Sequence, residues 1–166
     1  PTVLFLQGEE SLEAKDLIMS QVGTLVMPFA GAFSGKPAAG LTQTVLARTS
    51  VQGELKDSMQ ATQPASQHSV SVGGTKVYAM AIRLSGKFKT AFPDGKPEVK
   101  KDPNSGEDDE PPAKDKDRPH LKESAKDNSV VLIADADMLA DQASVQVVQD
   151  PGGQRAVVPK NGNIAM

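Results

Sequence analysis

Ser129-Val130-Val131-Leu132-Ile133-Ala134-Asp135-Ala136-Asp137 is the stretch whose reading decides the fold. Side chains of a strand alternate between its two faces, so a run that is apolar at successive positions is apolar on both. A strand of that kind asks for packed layers above and below, the usual setting of a parallel or mixed sheet. Lys76-Val77-Tyr78-Ala79-Met80-Ala81-Ile82-Arg83-Leu84 has the same character, with no Gly or Pro, and is expected to be the central strand. The fold class that follows is α/β, with a mostly parallel or mixed sheet.

Working upstream, Thr2–Leu6 reads as a buried strand closed by Gln7-Gly8. Ser11-Leu12-Glu13-Ala14 resembles a helix start, with Leu12, Leu17, Ile18 and Val22 near helical spacing and Gly23 as its stop. Thr24–Phe29 is apolar and partly β-branched, and Pro28 marks it as an edge strand or as the end of a strand. A Gly/Ala/Pro-rich loop over 31–40 precedes a strand over Leu41–Ser50, and Glu54–Thr62 is expected to form a short helix before Pro64. Downstream of the deciding stretch, a short helix from Met138 to about Gln142 and a turn at Pro151-Gly152-Gly153 complete the reading.

One α/β domain over 1–166 is therefore expected, interrupted at 95–128 by a charged, flexible insertion. Gly106-Glu107-Asp108-Asp109-Glu110-Pro111-Pro112 typifies that insertion, which holds too little apolar surface to offset its ordering entropy. With no Trp and a single Tyr, the core has to be built from Val, Leu, Ile, Met and Ala.

Net charge is −3 and no basic stripe stands clear of acids, which argues against nucleic acid and anionic lipid as partners. The absence of Cys removes thiol nucleophiles, disulfides and Cys-ligated zinc together. No apolar run approaches the roughly 18 residues of a membrane span, and no signal peptide opens the chain. A start without Met and an end at Ile164-Ala165-Met166 suggest a piece of a longer protein whose anchor lies elsewhere.

Asp135 and Asp137 stand at the carboxyl end of the deciding strand, where open α/β sheets place ligands. Alternation points both the same way, and Asp141 follows a helical turn after Asp137, so the three could hold Mg²⁺ or Ca²⁺. The plainer reading is that Asp137 caps the following helix while Asp135 bonds loop amides, leaving no metal and no cofactor. Gly31-Ala32-Phe33-Ser34-Gly35-Lys36-Pro37 and Ser85-Gly86-Lys87-Phe88 imitate phosphate loops. The first has one residue too few between its glycines and a Pro in place of the hydroxyl. The second lacks the upstream glycine. His68 and His120 lack the neighbours of a triad and are expected in loops, and Arg48-Thr49-Ser50 reads as a turn with a surface ion pair rather than an anion site. No catalytic residue is assigned.

Several pieces, taken in order, resemble a known family. They are Met27-Pro28-Phe29-Ala30-Gly31-Ala32, Val45-Leu46-Ala47-Arg48-Thr49-Ser50, Ala79–Phe92, Val130–Leu139 and Asn161-Gly162-Asn163. Their order and spacing are similar to the extracytoplasmic part of GldG-type auxiliary components of ABC transport systems. The resemblance implies a Rossmann-like layered domain, no catalytic residues, and a soluble region on the periplasmic face of the cytoplasmic membrane. It also implies a membrane-anchored parent whose partners are the permease and ATPase subunits. The function expected is accessory or scaffolding, binding protein partners or cargo. The alternative is a small-ligand or divalent-metal domain using Asp135 and Asp137.

Overall fold

The computed structural model describes residues 3–61, 74–95 and 120–165. These form three small antiparallel sheets with only four-residue α-helices between them. Strands β1 (Val3–Gln7) and β2 (Thr24–Pro28) pair with each other. A three-stranded sheet has the order β3 (Leu41–Arg48), β4 (Ala79–Gly86), β5 (Asn128–Ile133). β6 (Val145–Gln149) and β7 (Arg155–Pro159) make a hairpin. The helices are α1 (Gly8–Ser11), α2 (Ser58–Ala61) and α3 (Asp141–Ser144).

This corrects the α/β expectation: the described residues are mostly β, and no Rossmann-like parallel layering is present among them. A parallel neighbour needs a crossover of about a dozen residues, usually a full helix, and no described helix approaches that length. β4 is central as expected, but β5 lies at the sheet edge, antiparallel to β4. Its apolar run does not report two buried faces. Val131 and Ile133 pack on the core, whereas Val130 and Leu132 on the opposite face are 40% and 37% exposed.

The helix expected over residues 11–22 is also replaced. α1 stops at Ser11, Leu12 is extended and bridges to Ala47, and only Met19–Gln21 forms a short 3-10 turn. Asp16 supplies the reason, because its Oδ1 accepts the Ile18 amide at 3.0 Å and holds a turn that competes with helix. Leu12, Met19 and Val22 still reach the core, while Leu17 is left 85% exposed. Of the helix expected over 54–62, Ser58–Ala61 is formed. The bulk of the expected insertion, 96–119, lies outside the described residues, as does His68.

The core comprises Leu6, Leu12, Met19, Val22, Leu25, Met27, Leu46, Ala47, Met80, Ala81 and Met138, with no aromatic among them. It lies between the β1–β2 pair and one face of the three-stranded sheet. Two polar links stitch its margins. Asp16, almost fully buried, pairs with Arg83 of β4. Asn163, also buried, binds both backbone groups of Val26 and the carbonyl of Met138.

Candidate functional site

Just past β5 the chain turns sharply. The Ala134 amide donates to the Met80 carbonyl at 2.9 Å, and the next residue, Asp135, folds its carboxylate over the turn that follows. Its Oδ1 accepts the amides of Asp137 at 2.8 Å and Met138 at 3.0 Å, satisfying two donors at the start of the 3-10 turn Asp137–Leu139. The acid that secures this turn is therefore Asp135, and the Asp137 side chain makes no cap bond. Asp137 and Asp141 are exposed, Asp141 opening α3. No group of three or more His, Asp or Glu side chains suited to a metal occurs among the described residues.

Asp135 Oδ2 is buried without a hydrogen-bond partner. Burial accordingly pushes the Asp135 carboxyl above its ordinary value of 3.8, with the nearby Asp137 charge adding to the shift and the two amide bonds opposing it. Between 3.8 and its folded value the native state binds more protons than the unfolded chain, so this group's stabilisation is greatest in acid and is lost as pH rises through the folded pKa. Denaturant unfolding of wild type and Asp135→Asn across the acid range should show the wild-type advantage shrinking with rising pH and then levelling. A difference that grew with pH would contradict the raised value.

Of the other residues singled out in the sequence, Arg48, Thr49, Gly31 and Phe33 bond to neighbouring backbone. Arg48 donates through Nε to the Glu10 carbonyl at 2.8 Å and through Nη2 to Glu9 at 3.0 Å, with Glu13 at 3.9 Å. The guanidinium thus satisfies carbonyls of α1 instead of awaiting an anion. Thr49 Oγ1 accepts the Tyr78 amide at 3.0 Å. In the Gly31–Lys36 loop, Gly31 donates to Ala134 and Phe33 to Ala79, so the loop runs across the strand ends, and Lys36 is exposed. Lys87 borders a polar depression with Ser85, Ser129, Glu123 and Asp127, and the Ser85 and Ser129 hydroxyls bond each other at 2.8 Å. His120 is exposed.

A second concavity is one that the sequence reading did not find. Along β1 and β2 the pairs Leu4↔Met27 and Leu6↔Leu25 face the core, and Val3↔Pro28 and Phe5↔Val26 face out. The outward pairs floor an apolar groove of about 840 Å³ whose far wall carries Asp137, Ala140 and Lys160. Phe5 is 67% exposed, which corrects the reading of this segment as a buried strand. Phe29 is 55% exposed and holds a left-handed φ of 55°, a conformation disfavoured for a bulky residue and therefore maintained by its surroundings. A short apolar run with no polar interruption carries little sign of which face is bare, so the composition of 2–6 hid the groove. The arrangement suits an apolar side chain or short peptide segment with mixed charge at its edge.

Residues 1–166 match in full the family described as ABC-type uncharacterized transport system. No curated protein and no solved structure matches the chain.

Proposed function

The chain belongs to the ABC-type uncharacterized transport system family, and on that premise we propose that it is a non-catalytic accessory domain that docks protein subunits of a transporter. The observation that carries this reading is the family match over the entire chain; the auxiliary role is that of the family, and the docking role is drawn from the groove. The finer assignment is a GldG-type component on the extracytoplasmic face of the membrane, as a soluble domain of a membrane-anchored parent. Its partners would be the permease and, through it, the ATPase. Among the described residues no helix is long and apolar enough to cross a membrane.

Phe5 and Phe29 make the groove a fitting contact for such a subunit, since exposed aromatic side chains beside apolar strands are the usual anchors of protein interfaces. Affinity purification of the parent protein from membranes should recover a permease and an ATPase. Phe5→Glu, at a solvent-facing position, should cut that recovery at least tenfold, a loss of about 1.4 kcal/mol or more, with the melting temperature nearly unchanged. Recovery of neither subunit by the wild type would remove the transport reading. Undiminished recovery by Phe5→Glu would remove the groove from it.

The divalent-ion alternative at Asp135 and Asp137 rests on the unbonded Oδ2 alone, and among the described residues no group of three or more acid or His side chains suited to a metal occurs. Titration calorimetry with Mg²⁺ and Ca²⁺ separates the two, since only the metal reading calls for heat that disappears in Asp135→Ala.

A further inference from the structure

We propose that β5 is a self-pairing edge through which two copies of this chain join their three-stranded sheets into one. The two edges of the β3–β4–β5 sheet are treated differently. β3 is blunted by register shifts between Val45 and Ala47 and between Ala47 and Arg48, and its Ala47 is bridged by Leu12. β5 has no shift, no Pro and no charged side chain, and among the described residues no strand pairs with its outer side. Bulges, charges and prolines are how proteins protect strand edges, and this edge has none of them.

Alternation fixes what the edge offers. The Ala134 amide bonds Met80, so the even-numbered residues of β5 direct their backbone groups to β4. Ser129, Val131 and Ile133 then turn their N–H and C=O outward. The close Ser85–Ser129 hydroxyl contact at 2.8 Å agrees, because side chains approach most closely at non-hydrogen-bonded pairs.

A second copy satisfies this edge in one register above all others. Centring a two-fold axis on Val131 sets Val131 against Val131 and Ser129 against Ile133 of the other copy. All the outward residues are then used, with roughly six backbone hydrogen bonds across the junction. Val130 falls opposite Leu132 of the other copy on the sheet face that also carries Val45, Ile82 and Leu84. Those two are the exposed apolar side chains of β5, so the same register brings each against an apolar neighbour, and no charged side chain lies within the paired strands themselves. The strand is complementary to itself in backbone parity and in its exposed apolar face, which is why the occupant is a second copy.

Sedimentation of the 166-residue chain should show a concentration-dependent dimer. Val131→Pro removes an outward N–H without touching the β4 ladder, and prolines are tolerated at such edge positions. It should be monomeric, while Val131→Ala, which loses comparable packing but keeps the amide, stays dimeric. Because the chain contains no Cys, Val130→Cys with Leu132→Cys gives a clean test of register: mild oxidation should cross-link two copies as a covalent dimer. A monomeric wild type at every concentration, a dimeric Val131→Pro, or a dimer whose cysteines fail to cross-link would each overturn the proposal. Loss of subunit recovery in the Phe5→Glu purification would leave it untouched, since that groove lies on the other sheet.

Discussion

Asn163→Ala is expected to destabilise the protein by about 3–5 kcal/mol, the sum of three lost bonds at roughly 1–3 each less what relaxation and water recover. The side chain behaves as a strand neighbour for β2. Its Oδ1 accepts the Val26 amide at 2.9 Å, while Nδ2 donates to the Val26 carbonyl at 2.8 Å and to the Met138 carbonyl at 2.7 Å. One buried amide thereby joins β2, the turn after β5 and the C-terminal segment, and truncation leaves three backbone groups without partners at once. At about 2–4 °C per kcal/mol for a chain of this size, the melting temperature should fall by about 6–20 °C. Asn163→Asp should be no better, because a carboxylate keeps the acceptor but faces two carbonyls with no donor. A melting curve for Asn163→Ala within a degree or two of wild type would show that the network is not what closes this end of the fold.

The same network explains the composition of Asn161-Gly162-Asn163. Asn161 holds the Ala143 carbonyl at 2.6 Å and, through Oδ1, the Asn163 amide at 2.9 Å. Between them, a Cβ at residue 162 would lie 2.7 Å from the Thr24 carbonyl oxygen and 3.1 Å from Val22 Cγ1. Glycine is the residue that lets the chain pass this close to β2. Sequence alone marked the triple as polar and part of a family resemblance, yet nothing local announces that a side-chain amide will reach a strand 137 positions upstream.

Strands were legible and their neighbours were not. β1, β2, β3, β4 and β5 all fall where apolar and β-branched runs place them, and Pro28 does end β2. Period and composition report that a segment is extended and wants burial, but pairing direction depends on how the chain between strands travels. β5 shows the consequence: its doubly apolar pattern suggested a central parallel strand and belongs to an antiparallel edge. The 11–22 segment failed for a different reason. Its apolar spacing mimicked helix, but a buried Asp at residue 16 that bonds the Ile18 amide favours a turn, and that preference is visible only once Asp16 is known to point inward. At the candidate site, the capping of the turn by an acid was legible, though the acid is Asp135, and the groove beside it was not.

Arg83→Ala should be the more damaging half of a second polar link, at about 3 kcal/mol, the low end of what is lost when a buried ion pair is broken from one side. Arg83 Nη1 meets Asp16 Oδ2, and Asp16 Oδ1 holds the Ile18 amide. The Asp16 side chain is 3% exposed and the Arg83 side chain 28%. Removing the arginine strands a carboxylate that water reaches poorly. Removing the aspartate leaves a guanidinium that can turn its head to solvent, so Asp16→Ala should cost only about 1–2 kcal/mol, mostly for the freed Ile18 amide. Replacing both, with Asp16→Ala and Arg83→Met, should recover part of the Arg83→Ala loss because no unpaired charge remains. The inequality is what matters, since an exposed pair would give two small and similar losses and a strong dependence on salt. Chemical denaturation of the four proteins measures it directly. Losses in the opposite order would mean that the turn, and not the buried charge, sets the strength of this contact between residues 12–22 and the central strand.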